Sequence, residues 1–175
     1  VPENFANYFV IKFSRPFKVS GVWNVKGKVS LKQSLEGEHV GAYVTFDTQE
    51  NQIVEAKISS SFISHEQAWV NLNRELPDSK NFNDIKNEGR KTWNDELSKI
   101  KVESDNTDYG ISNKTKFYSC FYRTILFPRQ FHEYDENGKQ IHYSPYNGKI
   151  LDGPLYTDNG FWDTFRAVFP FYSIL

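Results

Sequence analysis

Ser59-Ser60-Ser61-Phe62-Ile63-Ser64-His65-Glu66-Gln67-Ala68 is where this chain changes character. Upstream, short runs of β-branched and aromatic residues read as strands: Tyr8 to Phe13, Val19 to Val25, Val40 to Phe46 and Ile53 to Phe62, the last two flanking the polar turn Thr48-Gln49-Glu50-Asn51. Consecutive strands with short turns and no helix between them predict an antiparallel sheet, closer to half of a β-sandwich than to a complete one. Downstream the period lengthens. Ser64-His65-Glu66-Gln67 is a capping box, and Ala68, Leu72 and Leu76 recur at helical spacing until Pro77 stops them.

A second helix is predicted from about Phe82, where Phe82, Ile85, Gly89, Trp93, Leu97 and Ile100 step along one face opposite a solvated face of mixed charge. Polar residues from Glu103 to Ser112 read as a linker. Asn113 then caps a third helix that Pro128 ends, with Phe117, Cys120, Phe121, Thr124 and Ile125 as its buried stripe. Asn113-Lys114-Thr115 also fits the glycosylation sequon. Asn137-Gly138 signals a hairpin inside a turn-rich region, and a final helix runs from about Gly160.

Composition narrows the function classes. The 21 basic residues are interspersed with 22 acidic ones, so a net charge of −1 offers no electrostatic case for nucleic acid or an acidic membrane surface. No apolar run approaches the ~20 residues that span a bilayer. A lone Cys120 among Phe117, Tyr118 and Phe121 reads as a core thiol rather than a nucleophile. Aromatics make up 17% of the chain, a mild tilt toward carbohydrate chemistry that sandwich cores and helix interfaces explain equally well. The chain starts at Val1, lacks methionine and stops on apolar residues, which suggests an excerpt with sequence missing on both sides.

Tyr156-Thr157-Asp158-Asn159-Gly160-Phe161-Trp162-Asp163-Thr164-Phe165-Arg166 carries the most chemistry. An indole can cover the apolar face of a pyranose while a neighbouring carboxylate accepts hydrogen bonds from two hydroxyls. The rival account makes Trp162 core and lets Asp163 offset the positive end of a helix dipole. Asp158 and Asp163 do not make a convincing acid and base, lying on either side of a cap and first turn. His39, His65, His132 and His142 are scattered, so no zinc site emerges. No P-loop, dinucleotide fingerprint or nucleophile elbow is present either.

Five segments in order and spacing resemble glycoside hydrolase family 92, the bacterial exo-acting α-mannosidases. They are Phe117 to Arg123, Phe127-Pro128-Arg129, Tyr134 to Gly138, Tyr156-Thr157 and Trp162 to Arg166, supported upstream by Ser59 to Ser64, Asn71-Leu72 and Trp93-Asn94. Arg123, where many members carry histidine, and Gly160-Phe161, in place of the commoner Ser-Leu, depart from the pattern. The resemblance implies an α+β chain with a β-sandwich portion over residues 1–63, linker helices over 64–103, and the opening helices of an (α/α)6 toroid over 104–175. It implies a calcium-dependent, inverting exo-α-mannosidase, α-1,2 in type, secreted or held at a bacterial cell surface or in the periplasm. Its partners would be a mannose-containing glycan and the remainder of the same polypeptide. Trp162 and Asp163 match positions that line the sugar subsite, whereas the catalytic carboxylates and most calcium ligands belong to motifs outside this chain. Arg166 stands one turn from Asp163 and either orients it or makes a structural ion pair. A non-catalytic carbohydrate-binding module is the other reading.

Overall fold

A computed structural model describes residues 2–175 and divides the chain into two compact units, one of Val10–Ser59 and one of Ser60–Leu175 with the N-terminal residues through Phe9. The fold is α+β, with strands in small sheets followed by helices.

The first unit carries β2 (Val19–Trp23), β3 (Val29–Ser30) and β4 (Gly41–Thr45) with most of β1 (Tyr8–Phe13) and of β5 (Ala56–Ser61). Instead of one sheet in chain order, β1 pairs with β5, and β2 sits between β3 and β4 in an antiparallel sheet. Strand β2 stops at Trp23 because Asn24 turns the chain: its Oδ1 accepts the Lys26 and Lys28 N–H groups, and Gly27 follows at φ 68°. This hairpin and the two-residue β3 lie below the resolution of periodicity. Trp23 faces Gly41 and Tyr43 faces Gly21 across the ladder, and neither glycine leaves room for a Cβ beneath the opposing ring.

The second unit starts with α1 (His65–Glu75), capped by Ser64, whose Oγ accepts the Gln67 N–H at 3.1 Å. Only half of the expected capping box forms. The Gln67 amide donates instead to Asn71 Oδ1 (3.0 Å) and the Tyr134 carbonyl (2.8 Å), and the Ser64 N–H goes to Ser61 Oγ (3.4 Å). Ala68 and Leu72 are fully buried at the centre of this unit. Helix α2 (Phe82–Leu97) is closed by a capping box of Asn81 and Asp84, yet none of its residues is buried, contrary to the apolar face predicted for it. Trp93 meets Tyr122 of α3 (Asp108–Thr124) with ring centroids 4.5 Å apart.

Helix α3 begins five residues before the predicted Asn113 cap. Thr107 is the N-cap, its Oγ1 accepting the Gly110 N–H (3.1 Å) and donating to Asp105 Oδ1 (2.6 Å). The sequon therefore lies inside the helix, where Thr115 Oγ1 donates to the Ile111 carbonyl. Cys120 is exposed, not core. Of its stripe only Phe121 is buried, because the face of Phe117, Cys120 and Thr124 opens on a cavity of about 330 Å³ shared with Ala167, Val168 and Phe171.

Beyond α3 come β6 (Arg129–Gln130), β7 (Glu133–Tyr134), β8 (Gln140–Tyr143), β9 (Ile150–Asp152) and β10 (Tyr156–Thr157). Asn137-Gly138 does turn the β7–β8 hairpin, but only Gly138 takes positive φ (80°). Asp135 does the rest, its Oδ1 accepting the Asn137 and Lys139 N–H groups. The single helix predicted from Gly160 is two short ones, α4 (Phe161–Thr164) and α5 (Val168–Tyr172). Pro170 accounts for the break: continued from α4 it would fall in a helix interior without an N–H, whereas in α5 it sits in the first turn, where that N–H is not needed. Among the described residues no helix is long and apolar enough to cross a membrane.

Candidate functional site

The end of α3 and the β6–β10 ladder place the Trp162 segment. Arg129 pairs with Thr157 and Gln130 with Tyr156, and the Phe131 N–H adds a bond to the Leu155 carbonyl (2.8 Å). From the other side, the Tyr172 hydroxyl of α5 bonds the carbonyls of Thr124 (2.8 Å) and Phe127 (2.5 Å). Helix C-termini leave carbonyls unpaired, so this hydroxyl satisfies α3 while anchoring the last segment to it. Burial pushes the Tyr172 phenol up from its usual pKa, with an opposing contribution from the Asn159 side chain.

Between these anchors, Gly160 is the N-cap of α4 at φ −69° and ψ 126°. Trp162 and Asp163 follow in its single turn. Trp162 is 79% exposed and Asp163 is exposed. The core account of Trp162 therefore fails: its one ring neighbour among the described residues is Phe165, at 6.3 Å between centroids. Asp163 folds back over Gly160, where a Cβ would stand 3.5 Å from its Oδ2. The turn thus presents a solvent-facing indole beside an exposed carboxylate, a flat apolar face next to a hydrogen-bond acceptor. Phe161, 70% exposed, stacks on Phe165 at 5.5 Å and 17°.

Arg166 does not reach Asp163. Its guanidinium lies over the Phe165 ring, 5.1 Å from the centroid, and among the described residues no ion pair joins the two. Asp158 is likewise committed elsewhere. Its Oδ2 receives Arg129 Nε and Nη2, both at 2.6 Å, and the Thr157 hydroxyl at 3.1 Å.

Two polar arrangements beside this segment are not visible in the sequence. His132 is buried: its Nε2 lies 3.0 Å from the Gln140 amide nitrogen, its Nδ1 lies 3.3 Å from both the carbonyl and the N–H of Leu155, and its ring packs edge-on against Tyr156 and Tyr134. The other is the Arg129–Asp158 pair, 29 residues apart. Their visible signals were Arg129 within Phe127-Pro128-Arg129 and Asp158 within the aromatic stretch, but no local spacing links them.

Among the described residues no three His, Cys, Asp or Glu side chains converge on a point that could hold a metal.

Sequence comparison matches residues 67–175 to the glycosyl hydrolase family 92 catalytic domain and residues 1–61 to that family's N-terminal domain. A solved family 92 inverting mannosidase from Bacteroides thetaiotaomicron VPI-5482 is 41% identical, with a TM-score of 0.90 over 99% of this chain and 23% of its own. A second Bacteroides thetaiotaomicron family 92 α-mannosidase, solved with mannoimidazole, shares the fold at 24% identity, with a TM-score of 0.73 over 95% of this chain and 22% of its own. A protein of the fungus Arthroderma benhamiae described as an uncharacterized secreted glycosidase is 28% identical over 96 residues, 52% of this chain and 12% of that protein. The chain thus spans under a quarter of each of these relatives. With the catalytic-domain match alone covering more than half of its residues, the chain belongs to glycosyl hydrolase family 92.

Proposed function

We propose that the protein carrying this chain is an exo-acting, inverting α-mannosidase of α-1,2 type that removes terminal mannose from glycans. Trp162 and Asp163 hold the departing sugar. The observation that carries this reading is the exposed indole set beside a carboxylate in one helical turn. It is supported by 41% identity to a relative described as an inverting mannosidase. The indole covers the apolar C–H face of the mannose ring, and Asp163 accepts from adjacent hydroxyls, with both contacts strengthened as water leaves. Inversion needs a general acid at the leaving oxygen and a base carboxylate activating water on the opposite face. Asp158, tied to Arg129, is not suited to either role; by the family resemblance both roles belong to residues of the protein outside this chain. Residues 1–63, 64–103 and 104–175 then serve as sandwich portion, linker helices and the opening of an (α/α)6 toroid. Calcium dependence, with ligands mainly outside this chain, and export to the bacterial periplasm or cell surface complete the proposal.

Hydrolysis of α-1,2-mannobiose by the full-length protein, followed by NMR of the released anomer with and without a chelator, tests it. Release of β-mannose that stops on chelation is expected; no mannose release would sink the reading. Trp162→Ala is expected to lower kcat/KM roughly tenfold or more, since a desolvated stacking contact of this kind is worth about 1.4 kcal/mol. The exposed aromatic surface of the α4 turn favours a second reading, a module that binds glycan without cleaving it. Calorimetry of the 175-residue chain with mannose separates the two, because only a self-sufficient module binds measurably.

A further inference from the structure

We propose that Arg129 and Asp158 are positioning residues for the mannose site, setting through one ion pair the direction in which the Trp162–Asp163 turn leaves the β6–β10 ladder; this rests on the mannose reading above. Asp158 occupies the left-handed region at φ 66°, where glycine is at ease and other residues are strained. It stands immediately after β10 and two residues before the N-cap of α4, so its backbone decides where that helix points. Three donors converge on a single carboxylate oxygen, Arg129 Nε and Nη2 at 2.6 Å and Thr157 Oγ1 at 3.1 Å.

Arg129 is itself fixed. It belongs to β6, pairs with Thr157 across the ladder, and lies 5.9 Å from the centroid of the Phe127 ring. The Phe127 carbonyl is held in turn by Tyr172. Asp163 folds back over Gly160, so a rotation at Asp158 moves the carboxylate as well as the indole.

Stability does not account for this arrangement. Both partners are largely exposed, with 68% and 41% of their side-chain surface in solvent, and exposed ion pairs add little to folding. Strain that folding does not repay, located one turn from a binding surface, fits a role in orientation.

Asp158→Gly separates orientation from stability, because it relieves the backbone while removing the ion pair. In the full-length protein, its thermal midpoint should be unchanged or higher, while KM for the α-mannoside rises roughly tenfold, short of the 10²-fold that a 1 Å misplacement can cost. Arg129→Ala should raise KM equally, Arg129→Lys less, and the double variant Asp158→Gly with Arg129→Ala no further than either alone. Should Asp158→Gly fail to fold, the contrast between Arg129→Ala and Arg129→Lys decides. An unchanged KM in Asp158→Gly and Arg129→Ala, alongside a lowered kcat/KM in Trp162→Ala, overturns the positioning role and leaves the mannose site standing. An unchanged kcat/KM in Trp162→Ala removes the mannose site, and the positioning role with it.

Discussion

Around α1 and the β7–β8 hairpin, polar atoms are buried and answered one by one; around α4 and α5, aromatic rings stand in solvent and are answered chiefly by one another. Glu133 shows the first pattern, with Oε1 accepting the Phe62 N–H (2.9 Å) and Oε2 the Asn71 amide (2.7 Å). Asn71 also donates to the Ser60 carbonyl (3.0 Å), and Arg74 covers the Tyr134 ring at 4.2 Å. Stacked Phe5, Phe62 and Phe131 continue this junction, with centroids 5.5 and 4.5 Å apart. In the second region neither short helix buries a residue. The difference teaches where folding free energy and exposed surface reside: the junction buries Ala68 and Leu72 beneath its polar network, whereas the α4 turn displays Phe161 and Trp162.

The sharpest way to break that contrast is to empty the junction. Leu72→Ala removes a fully buried side chain and should cost ~2–5 kcal/mol, the range for cavities that collapse only partly. Hydrogen-exchange protection of the α1 amides reads it directly, and a loss below 1 kcal/mol would mean that α1 is not the keystone of its unit.

Next in size is Asn71→Leu, which leaves Glu133 Oε2 and the Ser60 carbonyl without the donor they share. A loss of about 1–3 kcal/mol is expected, the cost of unanswered polar groups. Glu133→Gln in the same background should recover part of it, because a neutral amide is less costly to leave unpaired than a carboxylate. No recovery would show that the junction depends on shape rather than on its hydrogen bonds.

Trp162→Ala probes the opposite region. With the indole 79% exposed, stability should change by less than ~0.5 kcal/mol while kcat/KM for the mannoside falls roughly tenfold. A destabilisation comparable to that of Leu72→Ala, measured by thermal unfolding, would make Trp162 a structural residue and dissolve the contrast.

What could be read beforehand follows the same division. Helix α1 was legible because Ser64, Ala68 and Leu72 state a cap and a period within a few residues, and both are used. The start of α3 is misplaced by sequence because Asn113 outranks Thr107 as a cap by residue type. The choice between them rests on Asp105 meeting Thr107 and on Tyr118 bonding Ile100 and Val102, contacts that exist only once the chain has turned. Cys120 was misjudged for a related reason: an apolar stripe says that a face is apolar without saying what covers it. Trp162 and Asp163 could be found because a site made of neighbours shows in order alone. Arg129 and Asp158 could not be paired, since only the β6–β10 ladder brings residues 29 positions apart together.

The finest test of the comparison lies at the first turn of α1, where Glu66 is fully exposed yet perturbed. Its carboxyl is held below the usual carboxylate range, first by a hydrogen bond from its own backbone N–H and then by the Ser64 hydroxyl. A folded pKa below the unfolded one places the contribution of Glu66 at pH values above the ordinary carboxylate range and removes it as pH falls through the depressed value. Ser64→Ala deletes one of those donors together with the Gln67 cap, which costs about 1 kcal/mol by the usual worth of such caps. In a carbon-detected NMR titration, Glu66 should therefore ionise below the ordinary carboxylate range in the parent and move up toward it in the variant. If its midpoint does not move, Ser64 acts on Gln67 alone, and the junction's polar order stops at its buried atoms instead of reaching the surface carboxylate beside them.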